Sequence, residues 1–383
     1  MNALDSINSR KSLGVLCLMM VISLGTLQIQ PVLTGALLDQ AGMPLNNVGW
    51  IFAAELISMA TACGVSALLI NRVNRRRFVL IALLMLTYGN LVSTQLHSEN
   101  WLLTFRAICG ASGGIVIAVV CATAALRSLK DETFAMINIS SLLWNMLLVT
   151  CIPLLLLVLD VQSAFYLLAT TSLFAAMGCN RIPEYNPNTE QNARCSVRMF
   201  ELTSMLLVVL FVLQFFGHSN LWVYQVQIGR SLNLECQQIG YVLCGGILSG
   251  ALGACLPGCI ARSFGLLFWH LLSFGTALLA TVFLIYGNSL VAFVTTACLI
   301  HMVWFFSLSY LLSMAAKLDL SGRLPGLCIA AMFVGQALGP FGAAMLVSRG
   351  HFCAVVWLAG SAYVVALIIS CVVLNRMGLR LML

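Results

Sequence analysis

Long apolar runs dominate this chain and restrict it more than any other feature. They fall at about 13–38, 47–70, 78–96, 101–126, 134–158, 164–179, 202–226, 239–261, 266–287, 289–316, 324–348 and 352–375. A membrane-crossing helix needs about 20 apolar residues, so twelve such runs predict twelve crossings. A barrel would show short alternating segments, so strands are not expected. The composition agrees: 61% of the 383 residues are hydrophobic and 8% are charged. About 25% charged is usual for a soluble domain, which excludes that class, and disordered chains are poor in apolar residues. The predicted class is an all-α polytopic membrane protein in a lipid bilayer.

The charges set the orientation. With the N-terminus in the cytoplasm, 16 of the 19 Lys and Arg fall in cytoplasmic segments, two (Arg230, Arg349) outside, and Arg106 within a span. This asymmetry predicts an even number of spans with both termini cytoplasmic. It also explains the net charge of +7 without a nucleic-acid partner. The first run is too long for a signal-peptide core and reads as a retained span. Most of the 15 cysteines lie inside apolar runs, where a thiol behaves as a small hydrophobe.

The segment 180–200 is the longest polar connection, with Pro183, Pro187, Asn186, Asn188 and Gln191. It predicts an N-terminal six-helix bundle over 1–179, a cytoplasmic linker over 180–200 and a C-terminal six-helix bundle over 201–383. The halves echo each other. Gln28-Ile29-Gln30 matches Gln225-Val226-Gln227, Val48-Gly49-Trp50 matches Ile239-Gly240-Tyr241, and Ala125-Leu126-Arg127 matches Ala316-Lys317-Leu318. Such repeats build transporters whose substrate site lies between the halves.

Two ionisable residues lie well inside spans: Glu55 in the second and Arg106 in the fourth. Both are expected at similar depth in the outer half of the membrane. A charge at a helix centre costs about 2.5–3.5 kcal/mol, so such groups pair or face a cavity. A Glu55–Arg106 pair is expected. Two roles stay open for it: proton coupling through a carboxylate that alternates between pairing and protonation, or a static tie between helices.

Between spans two and three runs Ala67-Leu68-Leu69-Ile70-Asn71-Arg72-Val73-Asn74-Arg75-Arg76. It resembles the major facilitator superfamily (MFS) signature Gly-x-x-x-Asp-Arg-x-Gly-Arg-Arg. Ala67 stands for the first Gly, Asn71 for the Asp and Asn74 for the second Gly. The resemblance implies a gating loop at Asn71, Arg72, Arg75 and Arg76, with Asn71 able to hydrogen-bond but not to supply the charge. The loop after span eight, Gly258 to Gly265, is a poorer copy. Arg106-Ala107-Ile108-Cys109-Gly110-Ala111-Ser112-Gly113-Gly114 resembles the family's span-four pattern of Arg and spaced glycines, which implies a proton-coupling Arg106. The glycine-proline pattern of drug antiporters is missing around Pro153.

The remaining polar residues outline an expected substrate cavity: Gln28, Gln30, Trp144, Asn145, Gln214, His218, Gln225, His301, Trp304 and Gln336. His301 and Trp304 are three apart and share a helical face. In the resembled family, spans one, four, seven and ten line the cavity. The bland alternative is helix-to-helix hydrogen bonding. Gly245, Gly246, Gly250, Gly253, Gly335, Gly339 and Gly342 suit close helix packing, and Gly339-Pro340 suggests a helix break. Cys255 and Cys259 share a face, but no adjoining His or Met cluster supports Cu(I), so no metal or cofactor is expected.

These readings converge on a secondary active transporter, working by alternating access and coupled to protons. Its expected substrate is a small organic anion or polar amphiphile. A drug/proton efflux antiporter is the alternative; a metal transporter or membrane enzyme is less favoured, since no HExxH or repeated Asp motif appears. A monomer in a cell inner membrane is expected, and not an enzyme.

Overall fold

A computed structural model describes residues 7–29, 33, 36–37, 40–43, 45–95, 98–156, 158–182, 201–260, 266–287, 289–319, 322–347 and 352–377. Gln30, the linker residues 183–200, Arg349 and most of the poorer loop copy at 258–265 lie outside the described residues, as do the side chains of Cys259 and Pro340.

The described residues form α-helices without any strand. In chain order they are α1 (Arg10–Ser23), α2 (Gly25–Gln28), α3 (Leu45–Leu69), α4 (Arg75–Ser93), α5 (Glu99–Ala124), α6 (Lys130–Leu156), α7 (Gln162–Met177), α8 (Leu202–Ser231), α9 (Cys236–Ile260), α10 (Leu266–Gly287), α11 (Leu290–Leu318), α12 (Arg323–Val347) and α13 (Phe352–Arg376). Eleven apolar runs each become one continuous helix. Seven of these helices are long and apolar enough to cross a membrane by length and composition alone.

The expected count of twelve helices is corrected to thirteen among the described residues, because the first run is broken at Leu24. The cause is local and tertiary. Ser23 Oγ donates to the Met20 carbonyl at 2.8 Å, competing with the helical ladder. Beside it, an added Cβ on Gly25 would lie 2.8 Å from Leu168 Cδ2 of α7, so the interruption packs closely on that helix. Irregular backbone at membrane depth is tolerated when buried in protein, as here.

Several helix starts follow from side-chain caps. Asn74 Oδ1 accepts from the Arg77 amide at 3.1 Å, and Ser98 Oγ from the Trp101 amide at 3.2 Å. Asp319 Oδ2 accepts from the Leu324 amide at 2.8 Å and starts α12. Before it, Gly322 adopts φ 80°, and a Cβ there would sit 2.4 Å from Ala122 Cα.

The chain packs as two units. One comprises Met1–Thr133, Ser140–Val197 and Ala316–Ala330; the other comprises Phe134–Ile139, Arg198–Ala315 and Ala331–Leu383. In the first unit α3 lies directly on α5. A Cβ on Gly110 would meet Glu55 O at 2.1 Å, and one on Gly114 would meet Met59 O at 2.3 Å. The spaced glycines after Arg106 therefore bring the two charged helices into backbone contact. α4 ties to α7 through Thr87 Oγ1 and Ser172 Oγ, 2.9 Å apart.

In the second unit the glycines sit on α9 and face α11. A Cβ on Gly253 would meet Met302 O at 2.1 Å, and one on Gly250 would meet Phe305 Cδ2 at 2.9 Å. α12 meets α8 the same way, with Gly335 against Val212 O at 2.4 Å. The expected break at Gly339-Pro340 does not occur: α12 runs unbroken through it. Proline lacks an N–H, so the carbonyl four residues earlier, on Gln336, loses its helical donor. Ser219 Oγ on α8 donates to that carbonyl at 2.8 Å and replaces the missing bond.

Candidate functional site

Glu55 and Arg106 meet inside the first unit. Arg106 Nη2 donates to Glu55 Oε1 at 2.7 Å, and Nε to Oε2 at 3.2 Å. This two-pronged geometry is the strong form of a guanidinium–carboxylate contact. Exposure is 2% for Glu55 and 1% for Arg106. Neither group faces lipid.

Two residues without a sequence signal complete the arrangement. Arg106 Nη1 donates to Asn90 Oδ1 on α4 at 2.7 Å, and Nη2 donates to Thr26 Oγ1 on α2 at 2.8 Å. Both are buried. The helix interruption at Leu24 thus sets Thr26 at the guanidinium. The Arg106 Cζ lies 5.6 Å from the Phe165 ring centroid on α7, a cation–π contact at the edge of an apolar cluster containing Ile29, Leu33, Phe52, Leu148 and Ile152. Helices α2, α3, α4, α5 and α7 all converge on this one cation. A guanidinium has five N–H donors and no acceptor. Here three charged or polar side chains take four of its bonds.

The other candidates of the first unit stand apart from this pair in their bonding. Gln28 Nε2 donates to the Ser141 carbonyl at 3.1 Å, while its Oε1 has no partner among the described residues. Trp144 packs on the apolar cluster. Its indole N–H and Asn145 Oδ1 are buried atoms without a partner among the described residues.

The loop residues form a short network. Arg75, 1% exposed, donates from Nη2 to Asn71 Oδ1 at 3.4 Å and from Nη1 to the Ala122 carbonyl at 3.4 Å. Arg76 donates to the Ile182 carbonyl from Nη2 at 3.0 Å. Arg72 is exposed. The amide at Asn71 does accept from an arginine, as its chemistry allows.

In the second unit the candidates gather into a column of rings. Trp222 meets His301 edge-on at 4.8 Å, His301 meets Trp304 at 6.2 Å, Trp304 stacks on His218 at 5.3 Å, and His218 meets Tyr363 at 5.3 Å. Tyr363 Oη lies 2.8 Å from His218 Nδ1. Sequence reading missed Trp222 and Tyr363. Gln214 Nε2 donates to Ser307 Oγ. Gln225 is buried beside the rings, with Oε1 unpartnered among the described residues. Gln336 joins α8 through its backbone carbonyl and is not part of the column.

The first unit thus buries a cation held by one carboxylate and two neutral acceptors, and the second unit stacks rings around buried polar side chains. Among the described residues no group of three His, Cys, Asp or Glu is placed to hold a metal ion.

The architecture is the major facilitator superfamily fold, and the chain is a multi-pass membrane protein of that fold. Three solved structures document this. The human organic anion transporter MFSD10 (TETRAN) superposes with a TM-score of 0.75 at 16% identity, over 94% of this chain and 99% of that one. The MFS transporter FucP, in the outward conformation, matches with a TM-score of 0.75 at 12% identity, over 94% of this chain and 98% of that one. The proton:xylose symporter XylE, bound to 6-bromo-6-deoxy-D-glucose, matches with a TM-score of 0.73 at 12% identity, over 95% of this chain and 94% of that one. No protein-family model matches the sequence. No curated protein matches it either.

Proposed function

We propose that the chain is a secondary active transporter, not an enzyme, that moves a small organic anion or polar amphiphile by alternating access and couples this to protons. The observation that carries the reading is the buried Glu55–Arg106 pair with its two neutral supports. The similar solved structures, an organic anion transporter and a proton:xylose symporter among them, support the same class.

The chemistry runs as follows. With Glu55 ionised, the carboxylate satisfies the Nε and Nη2 edge of Arg106. When a proton reaches Glu55, the pair loses its charge attraction, and leaving the cation alone in a buried site is costly. Asn90 and Thr26 still hold the guanidinium in place. Its freed edge is then shaped for a substrate carboxylate or similar anion. Substrate and Glu55 thus compete for one cation, and protonation decides between them. We further propose a monomer in a cell inner membrane with both termini cytoplasmic and the loop Asn71, Arg72, Arg75 and Arg76 acting as a gate.

The test is transport in liposomes under an imposed pH gradient, screening organic anions with wild type, Glu55→Gln and Arg106→Ala. Glu55→Gln should lose gradient-driven accumulation while keeping solute exchange, and Arg106→Ala should lose both. Equal gradient-driven accumulation in all three proteins would refute the reading.

A further inference from the structure

The second unit holds a small cavity of about 20 Å³, lined by His218, Trp222, Gln225, Thr296, His301 and Trp304 with aliphatic neighbours. That volume admits one water-sized group. Two polar atoms of its buried lining lack partners among the described residues: His218 Nε2 and Gln225 Oε1. His218 is 1% exposed and Gln225 7%. Unpartnered buried polar atoms are rare, and here both border the same void.

The hydrogen bonding around the void defines what fits it. His301 Nδ1 lies 2.8 Å from the Ala297 carbonyl. A carbonyl only accepts, so Nδ1 carries the proton, and the neutral ring keeps Nε2 as an acceptor. Gln225 Oε1 is also an acceptor. His218 Nε2 donates or accepts according to which way its Nδ1–Tyr363 Oη bond runs. Among the described residues no charged side chain lines the void. A carboxylate would face two lone-pair atoms with no cation to balance it. An ammonium offers only donors and would be desolvated without a carboxylate. A hydroxyl both donates and accepts, carries no charge and is water-sized. The flat faces of Trp222 and Trp304 suit the apolar body that carries it.

We infer that this cavity is a subsite for a neutral hydroxyl group of the substrate, seated between His218, Gln225 and His301, with the attached carbon skeleton on Trp304. The inference deepens the transporter reading by naming a second feature of its substrate, but the geometry is independent of Glu55 and Arg106.

The test uses the purified full-length protein in nanodiscs and three probes of one shape: cyclohexanol, cyclohexylammonium and cyclohexanecarboxylate at pH 7. Tryptophan emission reports binding, and Trp304→Phe identifies the responding ring among the seven tryptophans. Cyclohexanol should give a saturable response, weakened about tenfold in Gln225→Leu through the lost hydrogen bond. His301→Phe serves as a second lining variant should Gln225→Leu fail to fold, and a weakened response is expected there too, since the Nε2 acceptor is lost. Cyclohexylammonium should give no saturable response, and any response to cyclohexanecarboxylate, which the Arg106 site would take, should be unchanged in Gln225→Leu. Tighter binding of cyclohexylammonium than of cyclohexanol, an alcohol response unchanged in both lining variants, or no saturable response to any probe would overturn the proposal; the last would leave a structural water as the occupant. The binding response needs no gradient, so a failure of proton coupling with the wild-type cyclohexanol response intact removes the coupling reading alone.

Discussion

Asn90 Oδ1 accepts from Arg106 Nη1 at 2.7 Å, on the side of the guanidinium away from the bonds to Glu55. The cation is therefore anchored to α4 whatever the state of Glu55. Asn90→Leu keeps the size but removes the acceptor and strands a buried N–H. A hydrogen bond to a charged group is worth about 1.5–3 kcal/mol, so the purified variant should lose stability of that order in thermal unfolding. Asn90→Asp should behave differently. It places a second carboxylate on the cation, and Glu55→Gln should then be partly rescued for folding, though not for gradient-driven transport. A double-mutant cycle between positions 55 and 90 measures this, and an additive result would count against a shared cation.

Gly110 carries a sharper steric constraint than its charged neighbours. A Cβ there would lie 2.1 Å from Glu55 O and 2.4 Å from Ser58 Oγ, and the first of these is backbone. Gly110→Ala should push α3 off α5 and lower both expression and transport. Gly14 on α1 has nothing within 4 Å of an added Cβ and serves as the control. Gly14→Ala should be neutral or stabilising by about 0.4–1 kcal/mol, through the reduced freedom of the unfolded chain. Detergent-extract melting curves of the two variants separate these effects.

Partition into the bilayer wrote most of the helices into the sequence. Apolar runs such as 266–287 match a helix residue for residue, Leu266–Gly287, because a backbone in lipid must satisfy its own hydrogen bonds. The Glu55–Arg106 pair was legible for a related reason: two opposite charges at similar depth had few other partners available. Thr26 and Asn90 were not legible. Each is one modest polar residue in an apolar run, and its role arises only when α2, α4 and α5 converge. The break at Leu24 is hidden too, since no glycine-proline pair or polar cluster marks it in the run 13–38. Pro340 misled in the opposite direction. Its missing N–H suggests a broken helix, but Ser219 on another helix supplies the lost donor.

Arg127 gathers the chain before α1. Its Nη1 donates to the Ile7 carbonyl, Nη2 donates to the Asn8 carbonyl at 3.3 Å, and Nε donates to Thr133 Oγ1 at 3.1 Å. Asn8 Oδ1 also accepts from the Ser128 amide at 3.0 Å. A planar fork can reach these diverging acceptors together, and an ammonium cannot. Arg127→Lys should therefore free residues 7–9. Hydrogen exchange at those amides should accelerate, while amides of α4 and α5 keep their protection. Unchanged exchange at 7–9 would show that Asn8 alone holds the segment.

Two ion pairs of the first unit make opposite predictions. Lys317 Nζ lies 3.6 Å from Asp131 Oδ2, with side chains 47% and 34% exposed, whereas Arg106 and Glu55 are almost wholly buried. Exposed pairs contribute about 0–1 kcal/mol because water and salt screen them. Lys317→Ala should shift the melting temperature little, and any shift should vanish as salt rises from low to molar concentration. Removing one partner of a buried pair costs about 3–5 kcal/mol, since the remaining charge is left without water or counter-charge. Arg106→Ala should therefore destabilise strongly at every salt concentration, and Arg106→Ala with Glu55→Ala together should be milder than Arg106→Ala alone. If the double variant is the weaker of the two, Glu55 is not the charge that Arg106 neutralises, and the competition between substrate and carboxylate fails with it.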